Sequence, residues 1–466
     1  MVAKEKGLGR RLLGWFGWTV LVLFVLLTLL AATFAYYSQR GPTKAQQAAL
    51  ALLQKDYRPT HGVNAFPLLF YMNHNVPEDR LDAQMAADVE RVRKRLDGAS
   101  ASKEAADEDY TDAPKLPELS TEEKAALCAH DGKGCLAQVV AQPEAVRAAL
   151  AAHPIRVARA QAFEDADYFW NEFPASASSP TVIGDIRDGR RLWLSAFALK
   201  YAEGNHVDGL AATCRNLGAW RRMARGTNSL LNRMLADGFR DGAIRLYADM
   251  LVALPADEAV PEDCALALQP VVAADADLCP VWAGELAMFE SALREADKSS
   301  ASHGVSASLY PFFDLHKTTA WFALHLSPAC GSQANARFLA DELPHREELE
   351  RFPFWTVFSV PPGATWPECM ANAVGCVLFN VGADTGKYDA RLLGWAARLR
   401  LAATLLWLRE HSGEGSIAER FEHRPAELRS TNHASGFDAE RGVIYVEDSY
   451  QSDKHHRFEL PVGSLP

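Results

Sequence analysis

The chain has 466 residues, with 48 Lys and Arg against 59 Asp and Glu and a formal charge of -11. That balance excludes a nucleic-acid surface, which needs clustered positive charge. Hydrophobic residues make up 48%, enough apolar material for a sizeable folded core.

Four cations, Lys4, Lys6, Arg10 and Arg11, precede a charge-free run from Leu12 to Gln39. As a helix, residues 12–37 would reach ~39 Å, against a hydrocarbon core of about 30 Å. Trp15 and Trp18 near one end, and Tyr36 and Tyr37 near the other, match the aromatic belts of a spanning helix. The excess of cations before the run predicts residues 1–11 in the cytoplasm and the bulk of the chain outside it. Cleavage as a signal peptide is the competing reading. Thr33-Phe34-Ala35 offers a cleavage site, but the apolar run is longer than an ordinary signal core. Both readings leave the remainder on the same side.

Residues 38–97 read as a membrane-proximal helical segment. Thr43-Lys44-Ala45-Gln46 is a capping box opening a helix through Lys55, after a break at Gly41-Pro42. Residues 61–77 are expected to be partly extended. There Asn64, Asn73, His74, Asn75 and Asp79 surround the apolar FPLLFYM. Asn64, Asn73 and His74 are candidate ligand contacts, set against the preferred reading that they bond their own loop, as Asn and Asp do in turns. Pro77-Glu78-Asp79 then opens a helix to Leu96. Residues 98–119 are acidic, lack apolar periodicity and read as an exposed linker.

Residues 120–412 read as an α-helical domain. Ser120-Thr121-Glu122-Glu123 is a second capping box. Pro143-Glu144 starts helical sequence reaching Asn171, broken at Pro154. From Asp188 three helices follow, separated at Gly204-Asn205 and Gly226-Thr227-Asn228. Trp193, Phe197 and Tyr201 mark the inner face of the first. Leu231, Leu235, Phe239, Leu246 and Met250 mark that of the third. This succession resembles the stacked helix pairs of tetratricopeptide-like proteins in architecture, with no repeat period carrying that family's signature residues. Arg221, Arg222 and Arg225 form the clearest cationic cluster. They are candidate contacts for phosphate headgroups or an acidic partner, with Glu164-Asp165-Ala166-Asp167 as the internal alternative. Further helices are expected at 276–297, 333–351 and 388–411. The last carries Leu392, Trp395, Leu399, Ala402 and Leu406 as a core stripe. Residues 413–466 form a small tail, with Val443–Val446 and Arg457–Leu460 as a β-hairpin. The fold class is therefore mainly α: one spanning helix, a disulfide-stapled helical domain and a β tail.

All eight cysteines follow the apolar run: Cys128, Cys135, Cys214, Cys264, Cys279, Cys330, Cys369 and Cys376. An even number, all on one side, predicts disulfides in an oxidising compartment. Loop closure favours near neighbours, so the expected pairs are Cys128–Cys135, Cys264–Cys279 and Cys369–Cys376, leaving Cys214 with Cys330. Zinc at Cys128, His130 and Cys135 lacks a fourth ligand, so no metal and no cofactor is expected.

Catalytic motifs are sparse. Gly382–Lys387 falls short of a P-loop, with three residues between its glycines and Tyr388 in place of Ser or Thr. No H-E-x-x-H pair or G-x-S-x-G elbow occurs. His455-His456 reads as a solvated pair. Glu290-Ser291 resembles the Glu-Ser pair of helical lytic transglycosylases of the bacterial envelope, which implies Glu290 as a general acid on a glycosidic bond. The stretch downstream, KSSASHGVSASLYPF, lacks the Gly-Leu-Met-Gln-type sequence of that family. The expectation is a single-pass protein of a bacterial inner membrane, its bulk periplasmic, acting as a scaffold or binding module with an envelope protein partner. An envelope hydrolase acting on glycan or peptide is the runner-up.

Overall fold

The computed structural model describes residues 6–98, 110–176, 179–180, 186–302, 312–342, 360–380, 385–448 and 456–463. The chain is mainly helical. It runs α1 (Lys6–Gln39), α2 (Lys44–Leu53), α3 (Ala65–Phe70), α4 (Leu81–Gly98), α5 (Thr121–Ala126), α6 (Cys135–Ala141), α7 (Pro143–Ala152) and α8 (Pro154–Glu164). Next come α9 (Ile186–Ala202), α10 (His206–Arg225), α11 (Leu230–Ala253), α12 (Glu262–Ala267), α13 (Ala273–Ala276) and α14 (Cys279–Ser302). After these follow α15 (Leu315–Leu326), α16 (Ser332–Leu339), α17 (Trp366–Ala371), α18 (Ala373–Phe379), α19 (Thr385–Glu410) and α20 (Ile417–His423). Strands β1 (Ser435–Asp438), β2 (Val443–Asp448) and β3 (His456–Pro461) close the chain as an antiparallel sheet in sequence order.

The contacts divide the chain into two units. One comprises residues 1–52, 292–326 and 352–383. Its first element, α1, is long and apolar enough to cross a membrane. From Trp15 to Leu30 its large side chains stand exposed, Leu30 at 70%, while Phe34 and Tyr37 are half-buried. At its C-terminal end the Lys317 ammonium donates to the carbonyls of Tyr37 and Ser38, each at 2.7 Å. That contact satisfies acceptors no helical amide can reach. Cys369 and Cys376 join α17 to α18 in a disulfide. Asn372 between them donates to Thr318 and accepts from the Asp314 amide. A Cβ at Gly375 would sit 2.1 Å from the Thr318 hydroxyl, so this crossing of α18 with α15 requires glycine.

The other unit comprises residues 53–291, 327–351 and 384–466. Its core is built on α9, α10 and α11, the three helices expected from the sequence, broken where the glycines and asparagines fall. Trp193, Phe163, Trp220 and Phe239 stack through that core, with ring centroids 5.2, 4.3 and 4.9 Å apart in succession. The stripe of α19, including Leu392, Trp395, Leu399, Ala402 and Leu406, is buried. The sheet packs Ile444, Val446, Phe458 and Leu460 inward.

Several expectations are corrected. Residues 61–77 contain the helix α3, because Asn64 caps it by accepting from the Phe66 amide. Helical sequence after Pro143 ends at Glu164 rather than Asn171, since Tyr168 and Phe169 pair in β-bridges with Asn64 and Thr227. The helix expected over 333–351 stops at Leu339, where Asp341 turns to a φ of 58°; residues 343–351 lie outside the described residues. The hairpin gains a third strand, β1. On α11 the buried face includes Asn232, Arg233, Ala236 and Arg240, while Leu231 and Leu235 are only half-buried.

Disulfides join Cys128 to Cys135 and Cys214 to Cys264 in this unit. The expected Cys264–Cys279 and Cys214–Cys330 bonds are therefore wrong. Packing of α12 along α10 brings the Cys214 and Cys264 Cα atoms to 4.8 Å across 50 residues, and tertiary packing overrides the preference for short loops. Gly382–Asp384 of the P-loop-like segment, His455 and residues 99–109 of the acidic stretch lie outside the described residues.

Candidate functional site

A cleft of about 440 Å³ opens in the larger unit and gathers residues from four distant stretches. These are the segment after α2 (Lys55 to Arg58), Trp170 to Phe173, Asn228, and one side of α14 from Pro280 to Glu290. Its size lies within the range of small-molecule sites.

Each wall has a local cause. Asp56 accepts from the Arg58 amide at 2.9 Å and turns the first segment. Asn64 places the second segment: it accepts from the Trp170 amide and donates to the Trp170 carbonyl, both at 2.9 Å. The same Asn64 amide reaches Glu172 at 2.9 Å. Arg58 closes on both Glu172 oxygens at 2.8 and 2.7 Å. Asn228 clasps Asn171 through two hydrogen bonds, 2.8 Å from the Asn171 amide and 3.1 Å to its carbonyl. The backbone of α14 approaches so closely that a Cβ at Gly284 would lie 1.8 Å from the Asn228 carbonyl oxygen. Beside it Glu285 accepts from the Leu230 amide at 2.9 Å and caps the first turn of α11. Burial raises the Glu285 carboxyl above its usual range, and that hydrogen bond works against the rise.

The resulting surface is amphipathic. Tyr57, Trp170 and Phe173 provide aromatic area, and the Lys55 ammonium lies 5.5 Å from the Tyr57 ring centre. The two glutamates of the cleft differ in role. Glu172 spends its oxygens on Arg58 and Asn64, so it braces the wall. Glu290 lies midway along α14 and lines the cleft. The geometry suits binding by stacking and hydrogen bonding.

Of the other sequence candidates, Asn64 braces the cleft from behind. Asn73 accepts from the Arg156 side chain at 2.9 Å, and its carbonyl accepts from the Leu116 amide at 2.7 Å. His74 is buried, and its carbonyl accepts from Arg159 at 3.0 Å. Both hold the loop to α8.

The cationic cluster also turns inward. Arg221 grips buried Asp275 at 3.0 and 2.7 Å, and Arg225 grips the same carboxylate at 2.8 and 3.0 Å. Burial pushes the Asp275 carboxyl up, but the hydrogen bonds from Arg221 and Arg225 prevail and hold it well below the usual range. Arg222 donates to the carbonyls of Glu164 and Ala166, and Arg215 takes the Glu164 carboxylate at 3.0 Å. Asp275 is thus the carboxylate counterpart of Arg221 and Arg225, whereas the expected acidic run meets the cluster through its backbone, at Arg222, and gives its Glu164 carboxylate to Arg215. A cleft of about 290 Å³ remains beside these arginines, with Asp263 and Glu164 on its rim.

The residues that sequence reasoning missed are Tyr57, Arg58, Trp170, Glu172, Asn228 and Gly284. Their one visible signal is the polar, Asn-bearing punctuation between helices at Asn171 and Asn228. Compared with known protein families, curated proteins and solved structures, the chain matches none.

Proposed function

We propose that this protein is a single-pass, membrane-anchored binding module. In this reading α1 spans a bacterial inner membrane, and the disulfide-bonded helical region lies in the periplasm and holds an envelope protein through the cleft at Trp170. One observation carries the reading: an exposed apolar helix shares the chain with disulfides whose cysteines all lie beyond it. Formed disulfides belong to oxidising compartments. The cleft supports binding because half-buried Tyr57 and Trp170 line it while Glu172 is already paired.

A photo-reactive residue at Ala175 or Ala287, both exposed and lining the cleft, tests this in living cells. Cross-linking of one stoichiometric envelope protein from these sites, and not from exposed Ala148 on α7, is expected. Protein that stays alone at all three sites removes the protein-binding reading.

An envelope hydrolase is the second reading, favoured by the position of Glu290 in that cleft. It requires the purified protein to release soluble fragments from cell-wall glycan or peptide, and Glu290→Gln to abolish the release. That result would replace the binding reading.

A further inference from the structure

Cys279 and Cys330 are thiols, while the other six cysteines are joined in pairs. They lie 51 residues apart in sequence, by subtraction of their numbers, yet their side chains meet in a hydrogen bond. Cys279 is the first residue of α14, its amide donating to the Asp277 carboxylate at 2.9 Å. Cys330 lies in the turn before α16, its amide donating to the Ser327 carbonyl at 3.0 Å. Local bonds thus hold both backbones beside the contact between the two thiols. Cys279 is buried and Cys330 half-buried, so only one is open to an external reagent. Cys279 also shares a hydrogen bond with the Tyr57 hydroxyl, and the next residue, Pro280, lines the cleft.

We propose that Cys279 and Cys330 close a fourth disulfide, behind the wall of the Trp170 cleft, by exchange with a dithiol oxidant in its disulfide form. Cys330 loses its proton, and the thiolate attacks one sulfur of the oxidant. The oxidant's disulfide breaks, and its departing sulfur takes up a proton. Cys279 then loses its proton and attacks the Cys330 sulfur of the mixed disulfide, expelling the second oxidant sulfur. The two protein thiols give up two electrons and two protons, and the oxidant leaves as a dithiol. The half-buried thiol makes the first attack and the buried one resolves it. The closed bond ties the start of α14, and with it Tyr57 and Pro280, to the turn before α16.

The environment makes this pair slow. The hydrogen bond with Cys279, burial, and the nearby Asp277 and Asp389 charges all push the Cys330 thiol upward, and burial with the neighbouring cysteines does the same to the Tyr57 hydroxyl. The thiolate is the attacking species, so closure accelerates as pH rises.

The test uses full-length protein in detergent, treated at pH 7, 8 and 9 with oxidised glutathione, which takes the oxidant's part and leaves as two separate thiols, then denatured, alkylated and digested without reduction. The expected result is a linked peptide pair containing Cys279 and Cys330. Alkylatable thiols fall from two to none, about tenfold faster for each pH step, in proportion to the thiolate fraction. Cys330→Ser should keep the three existing bonds and leave one alkylatable thiol, at Cys279. Complete alkylation of Cys279 and Cys330 after the pH 9 treatment, with the other bonds intact, overturns the proposal. So does a peptide joining Cys279 to Cys264 or Cys330 to Cys214. These readouts use a supplied oxidant and are independent of where the protein resides, so they stand or fall apart from the periplasmic reading.

Discussion

Asp275 and Asp249 are both removed from water to a large degree, yet their surroundings drive them in opposite directions. Asp275 has two guanidinium partners and is held below the ordinary carboxylate range. A carboxyl depressed in the folded state stabilises it above the unfolded value of 3.8, and that stability is lost as pH falls through the folded value. Asp275→Asn leaves the buried Arg221 charge without its carboxylate, with the carbonyls of Ala267, Gln269 and Pro270 as its remaining acceptors. Removing one partner of a buried pair costs about 3–5 kcal/mol. Urea unfolding at pH 7 should show that loss, whereas Asp263→Asn on the rim of the same cleft should cost under about 1 kcal/mol, as exposed pairs do. Equal effects would mean that the clamp contributes no more than a surface contact. The clamp was hidden from sequence reading because Trp220–Arg225 looks like a solvated basic face; only its partner, 50 residues away, reveals that it points inward.

Asp249 shows the reverse. Burial pushes its carboxyl up to about 6, and Arg245 only partly opposes this. The folded state therefore holds a proton that the unfolded chain releases near 3.8, and stability falls as pH rises from about 4 to about 6, then levels off. Asp249→Asn removes that loss. The melting temperatures of the variant and the parent should agree at pH 4. At pH 7.5 the variant should be higher by the equivalent of about 1 kcal/mol, the shift being discounted for partial exposure. A variant no more stable than the parent at pH 7.5 would show that the carboxyl is solvated after all.

At the scale of elements, helix positions were legible because apolar spacing and capping chemistry are local. The stripe of α19, the breaks at Gly204 and Gly226, and the capping box at Ser120 were all readable before any tertiary contact was known. On α11 the expected Phe239, Leu246 and Met250 are buried, but the face of its first turns was not legible, because tertiary partners decide it. Arg240 is fully buried with its guanidinium 3.3 Å from the Trp395 ring centre, a contact across 155 residues, by subtraction. Disulfides divide along the same line. The two pairs seven residues apart followed from spacing, while Cys214–Cys264 depends on α12 lying against α10. The difference has an energetic consequence. Closing a loop of that length constrains the unfolded chain by about 4 kcal/mol, against roughly 2.5 kcal/mol for the seven-residue loops. Replacing Cys214 and Cys264 together by Ser should lower the urea midpoint more than replacing Cys128 and Cys135 together. The opposite order would place the main constraint in the Cys128–Cys135 loop.

For the whole molecule, the long apolar helix α1 was the most legible feature and the cleft the least. A spanning helix is specified by one continuous run whose solvent is lipid, so composition alone reports it. A cleft assembled from four separated segments has no such signature. Its glycine at 284 and its asparagines at 64 and 228 acquire meaning only when the backbones meet. The orientation proposed for the anchor rests on a modest surplus of N-terminal cations and on the disulfides, which are independent lines of argument. They predict one outcome in intact spheroplasts. Protease added outside should digest the region beyond α1, while a tag placed before Lys4 stays protected until the membrane is opened. Loss of the tag without opening, with the helical region spared, would invert the topology. It would place the disulfides in a reducing compartment, where they do not persist, and would leave the closure of Cys279 on Cys330 as chemistry of the purified protein alone.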